Sequence, residues 1–308
     1  MQKLKKYFLN VNVFKNPFWV TDQLIDYSNV DEIPQSLYDR INQGLSLLGQ
    51  ERTPDVSIVI PIWNEELNIV QTLLTISQNA TTYPTEVIAI NNNSTDRTQE
   101  VLNKIKIKSF VQPIQGCGPA RQLGQEIALG EFVLTADADC FYPKSWIQTM
   151  TDKLREDQVS CVYGRHSFIG SSRSQRFGFF MYETLRDVLI EIRHFKRPYL
   201  NSLGMTMGYK REFGMKAGFD PRNVRGEDGR FCFDMMRFGR VVKTSRRVRV
   251  WTYPRTLGKE KSLFQSLVSR VIKELSRITE FFYKKSAHDT HASENYTPFL
   301  DRLFKKKK

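Results

Sequence analysis

Three short apolar runs constrain this chain more than any other feature: "VSIVIPIW" (56–63), "EVIAI" (86–90) and "EFVLTA" (131–136). Each is too short for a helix, rich in β-branched residues, and apolar at consecutive positions, so each reads as a strand covered on both faces. The sequence between them has helical spacing. Ile69, Leu73 and Ile76 fall on one face of the first intervening helix, which Asn64 can cap with Glu65 and Glu66 in its first turn. Asp96 in "NNNSTDRT" can cap the second, and a third ends at Gly130 with Ala120, Leu123, Ile127 and Ala128 facing inward. Strand and helix in alternation predict a parallel sheet with helices on both faces. Ligands then bind beyond the carboxyl ends of the strands. Pro61-Ile62-Trp63, Asn91-Asn92-Asn93 and Asp137-Ala138-Asp139 should share that rim.

The third strand therefore ends by placing two carboxylates in the crevice. Side chains at i and i+2 of a strand point the same way, so Asp137 and Asp139 repel each other unless a positive charge lies between them. A solvated turn or a helix cap is the alternative reading of a D-x-D taken alone.

Downstream of residue 150, "FFMYETLRDVLIEIRHF" is amphipathic and helical, "LGMTMGYKREFGMKAGFD" is rich in Gly and Met, and Glu227-Asp228 sit between glycines before an aromatic run. The segment 262–285 places Phe264, Leu267, Val271, Leu275, Ile278 and Phe282 on one helical stripe. Charge is concentrated there too: residues 240–308 hold 18 Lys and Arg against 6 Asp and Glu, +12 of the chain's +13. A localised basic surface suits anionic lipid, nucleic acid or a polyanionic substrate. Cys117, Cys140, Cys161 and Cys232 form no C-x-x-C and read as reduced thiols of a cytoplasmic protein. The N-terminus lacks the uninterrupted apolar core of a signal peptide, and no window has the length of a membrane span.

From about Val56 to Arg255 the chain resembles the family 2 glycosyltransferases. The matching features are "VSIVIPIWNEE", "VIAINNNSTDRT", "GCGPARQLGQEIALGEFVLTADAD", "GMTMGYKREFGMKAGFD" and "GEDGRF", in the family's order. The resemblance implies the GT-A nucleotide-diphospho-sugar transferase fold, a Rossmann-like, mostly parallel sheet with helices on both faces. Here it would span residues 54–255, with an N-terminal helical extension (1–53) and a basic amphipathic C-terminal one (256–308). It also implies a single-displacement, inverting transfer from a nucleotide sugar to an acceptor hydroxyl. A diphosphate leaving group explains the acids, because a hard cation, Mg²⁺ or Mn²⁺, bound by carboxylate and phosphate oxygens offsets its charge.

By the same resemblance Asp139 is the metal ligand, and Asp137 meets the donor ribose, or the metal through water. Pro61, Ile62, Trp63, Glu65, Asn91, Asn92 and Ala138 line the nucleotide, with Trp63 available to stack on the base. Arg121 is placed for phosphate. Asp228 is the general base with Glu227 its neighbour. Many relatives carry an acidic pair where this chain has Asn91-Asn92, so both UDP- and GDP-linked donors stay open. No Q-x-x-R-W follows the E-D motif, which favours single transfer over processive synthesis. The expected acceptor is a glycan or lipid-linked glycan of cell-surface polysaccharide biosynthesis. The basic C-terminal helix would rest on the cytoplasmic face of the inner membrane, and nucleic acid is not an expected partner. The rival readings are a nucleotide-sugar-forming nucleotidyltransferase, whose Gly-rich triphosphate loop is missing from "VSIVIPIWNEE", and a non-catalytic nucleotide- or polyanion-binding relative.

Overall fold

The structure, a computed structural model, describes residues 13–50, 52–222, 226–246 and 248–255. The apolar stripe over 262–285 and the closing lysine run expected from sequence lie outside the described residues.

The expected alternation is present. After the short α1 (Phe18–Thr21) and α2 (Gln35–Gly49) come β1 (Val56–Ile62), α3 (Asn68–Ser77), β2 (Thr85–Asn91), α4 (Thr98–Lys104), β3 (Lys108–Val111), α5 (Cys117–Ile127) and β4 (Phe132–Thr135). β5 (Cys140–Phe141), α6 (Trp146–Leu154), β6 (Val159–Tyr163), β7 (Arg165–Phe168) and the long α7 (Arg173–His194) follow. β8 (Met207–Lys210), α8 (Arg211–Ala217), α9 (Glu227–Met235), β9 (Arg240–Lys243) and β10 (Arg249–Thr252) complete the described part.

Seven strands form one sheet in the order β3-β2-β1-β4-β8-β6-β9. β3, β2, β1 and β4 run parallel, as do β6 and β9, while β8 is antiparallel to both its neighbours. The sheet is thus mostly parallel. In β1, Val56, Ile58, Ile60 and Ile62 point into a core shared with Ile41 and Tyr38 of α2, Ile69 and Leu73 of α3, and Trp146 of α6. Val59 points to the opposite face, where a Cβ added to Gly124 of α5 would come within 2.2 Å of its Cγ1. Helices therefore cover both faces, as the two-sided apolar strands require.

Two helix details differ from the sequence reading. Asn64 does not cap α3, which begins at Asn68. It takes a left-handed conformation (φ 53°), tolerable for Asn, and its Oδ1 accepts from the Thr95 amide, tying the loops after β1 and β2 together. The inward face of α5 is small and polar rather than aliphatic: Ala120, Arg121, Gln125 and Ala128 are buried, whereas Leu123 and Ile127 are only partly so.

By its contacts the described chain divides into two units, one of residues 13–24, 167–191 and 251–255, the other of 25–166, 192–222, 226–246 and 248–250. Within the larger unit, α2 shares the core of the sheet. In the smaller unit Asn16 and Gly170 exchange two hydrogen bonds, and the Arg176 guanidinium lies 4.8 Å from the Trp251 ring centre. No disulfide joins the four cysteines; Cys117 is exposed and the others are buried.

Candidate active site

The site is built around one arginine. Arg121, in the second turn of α5, is only 3% exposed. Its Nη1 donates to Glu227 Oε1 at 2.5 Å and to Asp228 Oδ1, and its Nη2 donates to Asp137 Oδ1 at 3.1 Å. A single guanidinium thus gathers a carboxylate from beyond β4 and two from the first turn of α9. Its five fixed donors make such multiple engagement natural. Two glycines allow the approach. A Cβ on Gly118 would fall 2.2 Å from Asp220 O and 2.9 Å from Glu227 Oε2, and one on Gly204 would fall 1.8 Å from Arg121 Nη2. The first explains a Gly of "GCGPAR"; no sequence signal marks Gly204 as a site residue.

The electrostatics follow from burial. Burial pushes the Glu227 carboxyl up to about 7; the Arg121 charge opposes this, and Asp228 and Asp137 add repulsion. Asp137 is raised to about 6 by burial, against Arg121 and with Asp139 and Asp228 repelling. Burial alone would lower the Arg121 pKa, but Asp228, Asp137 and Glu227 together raise it. Three acids share one arginine, and Asp139 adds its repulsion to Asp137, so a cation bound at the pair would relieve that repulsion. Although the residue is exposed, the Cys117 sulfur is turned inward enough that desolvation pushes its thiol up to about 11, which leaves it protonated near neutral pH.

The D-x-D is held rigidly. The Asp137 amide donates to Tyr142 Oη at 2.9 Å, and that hydroxyl donates to Met205 O at 3.0 Å. Tyr142 is a positioning residue the sequence did not reveal, because its neighbours suggest only a buried aromatic. Ligand atoms of Asp137, Asp139 and Cys140 all lie within 4.8 Å of one another. The two half-buried carboxylates suit a hard divalent cation that takes oxygen ligands. The buried Cys140 thiol, 3.4 Å from Asp139 Oδ1, is a softer donor better matched to other metals.

The remaining expected residues separate into two groups. Trp63 is 55% exposed at the end of β1, so it is not a core residue and can offer a ring face. Pro61 and Glu65 are partly buried beside it in sequence, and Glu65 accepts from Asn68 Nδ2. Ile62 and Ala138, by contrast, belong to the hydrophobic core. Asn91 and Asn92 are buried and engaged with protein. Asn92 Nδ2 donates to Gln112 O and Ile114 O while its Oδ1 accepts from the Gly116 amide. Asn91 Nδ2 donates to Gln99 and its Oδ1 accepts from the Ser94 amide. These amides brace the loops of the rim. Arg121, expected to meet phosphate, pairs here with Asp137, Glu227 and Asp228. Glu227 and Asp228 form the first turn of α9.

Comparison with known proteins agrees with this picture. Residues 57–217, more than half of the chain, match the family described as Glycosyl transferase family 2. The chain belongs to that family. Among curated relatives, an uncharacterized glycosyltransferase of Haemophilus influenzae is 28% identical over 121 residues, covering 37% of this chain and 48% of that protein. The polypeptide N-acetylgalactosaminyltransferase 8 of Drosophila melanogaster is 29% identical over 140 residues, 42% of this chain but 24% of the relative. The chain thus spans half or less of the length of these curated relatives. Among solved structures, the mannosyltransferase PcManGT of Pyrobaculum calidifontis, in complex with GDP-Man and Mn²⁺, superposes with a TM-score of 0.52 at 15% identity, covering 80% of this chain and 76% of its own. S. aureus TarS in complex with UDP-GlcNAc superposes with a TM-score of 0.50 at 16% identity, covering 76% and 74%. At such identities the likeness concerns the fold, which is that of the GT-A glycosyltransferases.

Proposed function

We propose that the chain transfers a sugar from a nucleotide-diphospho-sugar donor to an acceptor hydroxyl by inverting single displacement. The observation that carries this reading is the convergence of Asp137, Asp139, Glu227 and Asp228 on one rim of the sheet, three of them held by Arg121. That rim is where the fold presents ligands. Asp139 and Asp137 would hold a divalent cation, whose charge offsets that of the departing diphosphate. Asp228, more exposed than Glu227, is placed to accept the acceptor's proton. Glu227 and Arg121 fix its position. Trp63 offers a stacking face for the base. Both GDP- and UDP-linked sugars occur in complexes of the same fold, which supports a nucleotide-sugar donor without choosing its base. The acceptor we infer is a glycan or lipid-linked glycan at the cytoplasmic face of a membrane. Among the described residues no helix is long and apolar enough to cross one.

The test pairs two variants in a donor-turnover assay with Mn²⁺ and a panel of nucleotide sugars. Asp139→Ala should lose turnover and metal-dependent donor binding together, as excess chelator should in the wild type. Asp228→Asn should keep donor affinity and lose about 10²–10⁴ in turnover, the usual share of general base catalysis. Full turnover in chelator would remove the metal from the reading, and a wild-type rate in Asp228→Asn would remove the base.

A further inference from the structure

The strand ladder stops just short of the aspartates. The Ala136 amide still donates to Val59 O of β1 at 3.0 Å, and beyond it the chain leaves the run of β4. Buried backbone groups need partners there as elsewhere. Side-chain hydroxyls supply them, two of these from α3. Thr72 Oγ1 donates to Cys140 O at 2.9 Å and accepts from the Cys140 amide at 3.1 Å, so one hydroxyl serves both backbone groups of the residue after Asp139. Thr75 Oγ1, three residues on, accepts from the Tyr142 amide at 3.0 Å. Tyr142 in turn holds the Asp137 amide. Both threonines are buried, among the apolar Ile69, Val70, Leu73, Leu74 and Ile76 of the same helix. A helical threonine commonly donates back to a carbonyl of the preceding turn. Thr75 does so, to Thr72 O at 2.9 Å, whereas both bonds of the Thr72 hydroxyl go to Cys140.

We propose that Thr72 and Thr75 are positioning residues for cation binding at Asp137 and Asp139, an inference that rests on the reading of that pair as metal ligands. Their bonds bracket the pair. Tyr142 fixes the backbone at Asp137, Thr75 fixes Tyr142, and Thr72 fixes the backbone immediately after Asp139. With its main chain pinned, Cys140 also keeps its thiol 3.4 Å from Asp139 Oδ1. Each threonine therefore acts through the loop that carries the carboxylates. Groups that orient metal ligands in this way typically change metal affinity about 10–100-fold when they are removed.

The experiment counts free Mn²⁺ by electron paramagnetic resonance as the ion is titrated into the full chain, alone, with UDP and with GDP. Thr72→Val keeps the side chain's shape and removes the hydroxyl, so it should raise the Mn²⁺ dissociation constant about 10–100-fold. Thr75→Val should shift it in the same direction, and carries the test if Thr72→Val fails to fold. Thr72→Ser returns a hydroxyl and should return the wild-type constant. Ser57→Ala is the control for a merely structural loss. The Ser57 hydroxyl likewise donates one bond, to Glu86, and accepts one, from the Gly130 amide, but at the amino end of β1, opposite the rim. That variant should lose thermal stability and still bind Mn²⁺ as the wild type does. Wild-type affinity in folded Thr72→Val or in Thr75→Val overturns the proposal. So does an equal loss of affinity in Ser57→Ala, or no recovery in Thr72→Ser. A wild type that binds no Mn²⁺ under any of these conditions overturns the cation reading itself, and this proposal with it.

Discussion

At the scale of single residues, the contrast between Arg121 and Asn92 shows how much a side chain's role depends on what it meets. Each was expected to touch the donor from its place in the chain, and each is engaged by protein groups. Asn92 supplies both amide hydrogens to loop carbonyls and accepts from Gly116, so it holds the segment 112–116 that leads into α5. Asn92→Asp restores an acid of the type many relatives carry, yet here it would lose both donated bonds and set a charge against two carbonyl oxygens. The expected cost is about 1–3 kcal/mol, the penalty for buried polar groups left unsatisfied. Urea unfolding of the variant beside the wild type measures it, and an unchanged midpoint would mean that the loop re-pairs elsewhere.

The approach to α9 is an element whose stability should follow pH. Asp220, between α8 and α9, accepts from the backbone and both reachable nitrogens of Arg222, and from Arg230 on α9 at 3.4 Å. The Arg222 side-chain bond, opposed by burial and joined by the Arg222 backbone bond and charge, holds its carboxyl down at about 2. A depressed carboxylate stabilises the fold at pH above its unfolded pKa, about 3.9. That contribution fades as pH falls through about 2. Its size is at most about 2.6 kcal/mol by linkage, reduced because Arg222 is exposed. Wild-type stability should therefore drop more steeply than that of Asp220→Asn between about pH 4 and 2. Parallel curves from chemical unfolding at graded pH would show that Asp220 contributes nothing there.

Across the whole molecule, ligand binding at the rim should register as global stability, because the acids come from distant parts of the chain. Asp137 follows β4 and Asp228 opens α9, and Arg121 links them. A nucleotide sugar with Mn²⁺ at about 100 times its dissociation constant should add about 2.7 kcal/mol to the folded state. A thermal-shift screen across UDP- and GDP-linked sugars would read this and identify the base. Asp139→Ala should erase the metal-dependent part; a shift that survives in that variant would place the cation elsewhere.

The strands, their parallel order and the rim on which Asp137 and Asp139 fall were legible in the sequence. Two-sided burial of short β-branched runs leaves few other solutions, and period-2 geometry sends both aspartates the same way. The amphipathic helix was legible over 179–195, but its start at Arg173 and which of its faces turned inward were not. Its buried face mixes apolar Phe179, Leu189 and Ile190 with the paired Arg176 and Glu183, a combination that pattern alone does not give. The helix in the N-terminal extension was legible too, but that Tyr38 and Ile41 of α2 enter the core of the sheet was not. Arg121's engagement with acids more than a hundred residues away, the burial of Ile62 and Ala138 in the core, and the bonds by which Asn91 and Asn92 brace the loops were decided by tertiary structure. Local sequence sets which way a side chain leaves its own strand or helix. The partner it meets depends on contacts brought together by the folding of the rest of the chain.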